Sequence, residues 1–176
     1  MPVVKDNKTG SQLRRSTPSF KQGGRAKPTF RLKPEYISGL TDGEGCFYVH
    51  IRKSDAYRIG FNVALHFFIK MRADDKILLQ KVKETLGCGA VYFQKEKRSN
   101  HTDCYRYTVN GNKDILEKII PFFEKFSLQS QSKLKSFKTF SRIALMIKNN
   151  EHLTKKGLDR IVKLKQKMNN HNVGLA

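Results

Sequence analysis

The chain has 176 residues, 38% of them hydrophobic and 10% aromatic, enough apolar side chain for one globular core and too much for wholesale disorder. Basic residues number 35 against 15 acidic ones, a formal net charge of +20, so the partner to expect is an anion, with nucleic acid ahead of an acidic membrane surface. No apolar run reaches the roughly 18 residues of a spanning helix, no apolar signal core follows the N-terminus, and Cys46, Cys88 and Cys104 form no CxxC pair, which argues for a reducing compartment and against a zinc finger.

Residues 1–33 carry nine basic side chains against Asp6 alone, with Ser, Thr, Gly and Pro between them and no hydrophobic period. They read as a basic arm or tail: a disordered solubilising segment, a DNA-contacting arm, or an organelle transit peptide. From Pro34 to the C-terminus a single folded domain is predicted. Pro34 suits the first position of a helix, to which Tyr36, Ile37 and Leu40 give an apolar side and which the glycines at 43 and 45 end. In "CFYVHIR", Phe47, Val49 and Ile51 alternate with Tyr48, His50 and Arg52, the period of a half-buried strand. "FNVALHFFIK" repeats the device, with Phe61, Val63, Leu65, Phe67 and Ile69 on one face. "ADDKILLQKVKETLG" reads as a helix with Leu78, Leu79, Val82 and Leu86 buried and Gly87 just past its end.

The second half echoes the first. "AVYFQKEK" and "CYRYTVNG" form another antiparallel pair, with Tyr105, Tyr107 and Val109 inward. "KDILEKIIPFFEKF" is helical with a kink or restart at Pro121. A helix from about Ser130 to Lys148 buries Leu134, Phe137, Phe140, Ala144 and Ile147, and a last one, capped near Thr154, carries Leu158, Ile161, Leu164 and Met168. The order α-β-β-α-β-β-α with extra helices indicates an α+β fold, helices covering one face of a four-stranded antiparallel sheet. The other face and its loops carry Tyr48, His50, Arg52, Lys53, Arg58, Asn62, His66, Phe68, Lys70, Arg72, Tyr92, Gln94, Lys95, Lys97, Arg98, Arg106 and Thr108. One polar face is ordinary for an antiparallel sheet. Long cationic and hydrogen-bonding side chains on it are also what reads base edges and pins phosphates.

Residues 36–45, "YISGLTDGEG", set two carboxylates among glycines in a strongly positive chain. Gly39 and Gly43 lie four apart, on one side of a helix, and each costs about 1 kcal/mol relative to Ala. That cost makes sense where another backbone packs closely, as at small-xxx-small helix contacts. The helix then delivers Glu44 beside a contact between two copies. A carboxylate there is repelled by the phosphate of bound nucleic acid, and a divalent metal between them removes the repulsion. Mg²⁺, which takes one or two protein carboxylates and fills its sphere with phosphate and water, suits such a site.

The segment 37–45 resembles the signature helix of the LAGLIDADG homing endonucleases, and the two strands after it, the helix ending "LGCG" and the later "IIPFFEKFSL" are similar to the same family over about residues 34–170. The resemblance implies an αββαββα core, a sheet that forms a saddle on double-stranded DNA, and motif helices packed at the centre of a dimer. It makes Glu44 the catalytic, metal-binding acid, with the Gly43 carbonyl beside the metal and Asp42 structural at the helix end. Ile37, Gly39, Leu40 and Gly43 are the expected dimer interface. The family's basic residue near the scissile phosphate has no crisp match; Lys133 is assigned over Gln131 and Lys135, and Met71 stands where a polar residue is expected. One motif copy implies a homodimer on a pseudo-palindromic target, cutting both strands across the minor groove with short 3′ overhangs. An intron-encoded enzyme of an organelle, a mitochondrion before a chloroplast, is the expectation. The alternatives are a maturase binding intron RNA on the same fold and a basic ribosomal or architectural protein, which leaves Glu44 among glycines unexplained.

Overall fold

A computed structural model describes residues 31–96 and 102–170. The basic arm up to residue 30, Lys97, Arg98 and the C-terminal end lie outside the described residues. Leu32 already belongs to the body: it packs against the core, and its N–H donates to Thr85 Oγ1 at 3.0 Å. The folded part therefore reaches back before Pro34, into what reads by composition as arm.

Helix α1 (Pro34–Glu44) begins on Pro34, as its missing N–H allows. It runs through Gly43 to Glu44, one residue further than two helix-breaking glycines lead one to expect. Strand β1 (Gly45–Lys53) follows with no intervening residue. Gly45 makes that junction possible: a Cβ there would lie 2.5 Å from Thr41 Cγ2 and 2.8 Å from the Thr41 carbonyl. Strand β2 (Phe61–Arg72), a 3₁₀ turn (Ala73–Asp75) and α2 (Lys76–Leu86) come next, and Gly87 closes α2 in the left-handed conformation at φ 65°. Strands β3 (Ala90–Gln94) and β4 (Cys104–Asn110) complete an antiparallel sheet in the order β1-β2-β4-β3.

Short α3 (Asn112–Asp114) passes through a π-helical stretch (Ile115–Ile119) into α4 (Ile120–Lys125). The disturbance expected at Pro121 is thus a π turn just ahead of it, which absorbs the missing i→i−4 bond without breaking the helix. Helices α5 (Gln131–Lys148) and α6 (Lys155–Asn170) follow, with a 3₁₀ turn (Glu151–Leu153) between them. Thr154 caps α6, its Oγ1 accepting the Gly157 N–H at 3.1 Å.

The alternation read from the strands is the alternation observed. Phe47, Val49, Val63, Leu65, Phe67, Ile69, Tyr107 and Val109 are buried beneath the helices. Phe47 is the hub of an aromatic cluster with Phe67, Phe123, Phe137 and Phe140, at centroid separations of 5.2 to 5.5 Å. Leu78 is only half buried. Tyr107 carries its hydroxyl into the core and donates to the Cys88 carbonyl at 3.0 Å; burial holds that phenol far above its ordinary range. All three cysteines are free, and no helix among the described residues is long and apolar enough to cross a membrane.

Candidate nucleic-acid interface and acidic site

The cross-strand register fixes what the open face of the sheet presents. Tyr48 pairs with His66, His50 with Ala64 and Arg52 with Asn62 across β1 and β2. Phe68 pairs with Thr108, Lys70 with Arg106 and His66 with Asn110 across β2 and β4, and Tyr92 pairs with Arg106 across β3 and β4. Because side chains alternate, these residues share one side, opposite the core. A hollow of about 610 Å³ opens on this face, lined by Tyr48, His50, His66, Phe68, Tyr92, Gln94, Arg106 and Thr108, all assigned to it from the sequence. Asn110 and Phe93 line it too and were not. Asn110 is one alternation beyond Thr108, so strand period alone reaches it. Phe93 belongs to the other parity, yet it is 54% exposed and stacks edge-on against Tyr105.

Cations lie along the face. The Arg106 guanidinium sits over the Phe68 ring at 4.6 Å, and Lys165 of α6 reaches the Tyr48 ring at 5.5 Å. Lys165 extends the positive surface past the edge strand β1, and no strand pattern could have found it. Lys70 pairs with Glu96 at 3.7 Å, and Arg72 with Asp74 at 3.7 Å. Lys53, Arg58 and Lys95 lie at strand ends or in loops.

At the end of the sheet where α1 meets β1, Glu44 is exposed and lines a second hollow, of about 370 Å³, with Lys70, Met71, Arg72, Asp75 and Cys104. Asp75, in the 3₁₀ turn ahead of α2, is not among the site residues expected from the sequence. Three bonds hold the motif segment, α1 and the first residue of β1, to the α4–α5 connection and the first turn of α5. Ser38 Oγ donates to the Phe126 carbonyl at 2.8 Å, the Gln129 N–H donates to Asp42 Oδ2 at 2.8 Å, and Lys133 Nζ donates to the Gly45 carbonyl at 2.5 Å. Asp42 therefore has a structural partner, while Glu44 projects outward. Of the three candidates on α5, Lys133 is the one whose amine reaches the motif; Gln131 and Lys135 are exposed. Burial pushes the Cys46 thiol up against the opposing pull of Lys133 and Arg106, so it brings no negative charge to this end of the face at neutral pH.

The chemistry of the donor set suits a hard divalent cation. The last carbonyls of a helix lack intrahelical partners and form the negative end of its dipole. In α1 the Thr41 carbonyl accepts the Gly45 N–H, no basic residue stands in the last turn, and Glu44 adds a full negative charge. Among the described residues no group of three or more His, Cys, Asp and Glu forms a closed cage.

The expected dimer surface needs one correction. Ile37 is fully buried in the chain's own core and is not available to a partner. Helical phase turns it inward with Ser38 and Thr41, whereas Tyr36, Gly39 and Gly43 are exposed and Leu40 is half buried. Apart from the adjoining backbone of α1 itself, no described residue lies within 4 Å of where a Cβ on Gly39 or Gly43 would be.

Residues 37–144 match the family described as LAGLIDADG endonuclease. The chain is 30% identical over 142 residues to a probable intron-encoded endonuclease 3 of Neurospora crassa, covering 80% of this chain and 25% of that protein. It is 35% identical over 130 residues to an uncharacterized 50.9 kDa protein in ND4 intron 1 of Podospora anserina, covering 73% and 27%. The chain thus spans about a quarter of the length of these curated relatives. Among solved structures, the homing endonuclease I-TnaI is 36% identical with a TM-score of 0.70, covering 82% of this chain and 90% of that one. The LAGLIDADG homing endonuclease I-LtrWI, bound to target DNA, is 34% identical with a TM-score of 0.74, covering 92% of this chain and 50% of that one. The motif helix, the strand order, the family match and these likenesses agree: the chain belongs to the LAGLIDADG endonuclease family.

Proposed function

We propose that the chain is an intron-encoded homing endonuclease that binds double-stranded DNA on the open face of its sheet and hydrolyses both strands at a long pseudo-palindromic site. The observation that carries this reading is the cation at the end of the motif: Lys133 bonds the carbonyl of Gly45, one residue from the exposed carboxylate of Glu44. Glu44 and the Gly43 carbonyl would hold Mg²⁺, which when bound polarises a phosphate and lowers the pKa of water. Lys133 would bear on the scissile phosphate, and Arg52, Lys70, Arg72 and Arg106 would fix the backbone of the duplex. Relatives encoded in introns, one of them in ND4, support a mitochondrial setting.

Two chains would act together. Gly39 and Gly43 weaken α1 by about 1 kcal/mol each, and among the described residues no side chain or neighbouring element uses the space they leave. A second α1 packed on this side accounts for both. The half-length coverage of DNA-bound I-LtrWI is consistent with two such units on one site.

The test is cleavage of a plasmid carrying the uninterrupted insertion sequence of the host intron, with Mg²⁺ and with chelator, by the protein and by Glu44→Gln. Metal-dependent double-strand cutting that Glu44→Gln loses by a factor of about a thousand, with affinity in gel shift retained, is the expected outcome. Near-normal cutting by the variant would remove Glu44 from the reaction. Tight binding to intron RNA with no cutting of DNA would favour a maturase.

A further inference from the structure

The open face of the sheet is rich in hydrogen-bond donors. Arginine and lysine read bases that present acceptors, chiefly guanine O6 and N7. A base that presents an amino group, adenine through N6 or cytosine through N4, needs an acceptor from the protein. A carboxylate supplies one but is repelled by the flanking phosphates. A neutral imidazole with a bare nitrogen supplies one without charge.

His66, in the middle of β2, has such an arrangement. Its Nδ1 lies 2.6 Å from Asn110 Oδ1, its partner across the β2–β4 register. An amide oxygen only accepts, so this contact requires a proton on Nδ1 of His66, and a ring carrying that single proton keeps the lone pair of Nε2. The ring is flanked on the β1 side by Tyr48 and His50, each with its centroid 6.0 Å away, and all three line the large hollow with Asn110. The side chain is therefore oriented by a neighbouring strand before any ligand arrives, which lowers the ordering cost of a specific contact.

We propose that His66 is a specificity-determining residue that accepts a hydrogen bond from the exocyclic amino group of one target base, and that Asn110 is the positioning residue that fixes its tautomer. The inference rests on the reading of this face as a DNA surface. Asn110 touches no base in this account; it acts through His66. Without it the ring is free to carry its proton on Nε2, which turns the same side chain from an acceptor into a donor.

Two measurements decide it, both above the ordinary titration range of imidazole. Long-range ¹H–¹⁵N correlation of the histidine rings in the free protein reads the tautomer, with His50→Gln used for assignment. The expected spectrum has a protonated Nδ1 and a bare Nε2 on His66, and Asn110→Ala moves the proton toward Nε2. A protonated Nε2 in the unsubstituted protein overturns the proposal. Selection of bound sites from a randomised duplex pool reads specificity. His66→Ala should relax one base pair in each half-site by roughly fivefold or more, and Asn110→Ala should relax that same base pair or shift it toward a base that presents an acceptor. Unchanged preferences after both substitutions overturn this inference alone. Failure of the protein to select any duplex overturns the DNA reading and this inference with it, whatever the tautomer.

Discussion

Lys133 donates from Nζ to the backbone carbonyl of Gly45 at 2.5 Å, joining residues 88 positions apart in the chain. That bond ties the first turn of α5 to the last place of the motif. Asp42 and Ser38 reinforce the same junction through Gln129 and Phe126. Lys133→Met removes a charged donor from a partly buried carbonyl and should lower stability by only about 1–2 kcal/mol. Under the proposed reaction it should lower single-turnover cleavage by about a hundredfold or more. Thermal unfolding beside cleavage under saturating protein separates the two; a loss of activity no larger than the loss of folded protein would leave Lys133 a structural tie.

Gly45→Ala tests the tight passage from α1 into β1. The added methyl meets both the side chain and the carbonyl of Thr41, and the backbone atom cannot swing away. A destabilisation of about 2–3 kcal/mol is expected, the scale of overpacking in a core. Denaturant melts of the two proteins measure it, and a change below about half a kcal/mol would mean the junction is not held as described.

The two faces of the sheet give opposite outcomes. Arg106→Ala leaves the core untouched and should weaken duplex binding, reducing the salt slope by about 0.9 if the guanidinium neutralises one phosphate. Phe67→Asp puts an unpaired carboxylate among Phe47, Phe123 and Tyr107 and should prevent folding. Binding isotherms over a range of salt concentration check the first, and circular dichroism the second. An Arg106→Ala protein that binds duplex with unaltered slope and affinity removes Arg106 from the interface.

Gly39→Leu addresses assembly. The position is exposed and open among the described residues, and leucine is the better helix former by roughly 0.5–1 kcal/mol. A single chain should therefore gain stability from the change, while a pair of chains packed through α1 should be lost. Light scattering with and without duplex, beside a thermal melt, reads both. A variant that still pairs would place the dimer surface elsewhere than on the glycine side of α1.

The sequence by itself determined the elements, the faces of the strands and the family. Alternation in "CFYVHIR" and "FNVALHFFIK" is local and repeats every two residues, so the side of the sheet on which Phe67 or Arg106 stands follows from position alone. The motif carries Glu44 in the same local way, at the end of a helix that starts on Pro34. What only the tertiary structure decided is where distant residues meet. Ile37 and Gly39 are both in the motif helix, but which of them faces the core depends on how α1 lies on the sheet, and that phase buries Ile37 and leaves Gly39 open. Lys133 stands among basic and polar neighbours that look alike in sequence, and only the docking of α5 singles out the amine that reaches Gly45. His66 and Asn110 lie on strands 44 residues apart. Their pairing is a matter of register between β2 and β4, neighbours at the centre of the sheet, which no single strand encodes because it is set by the connections and by the core.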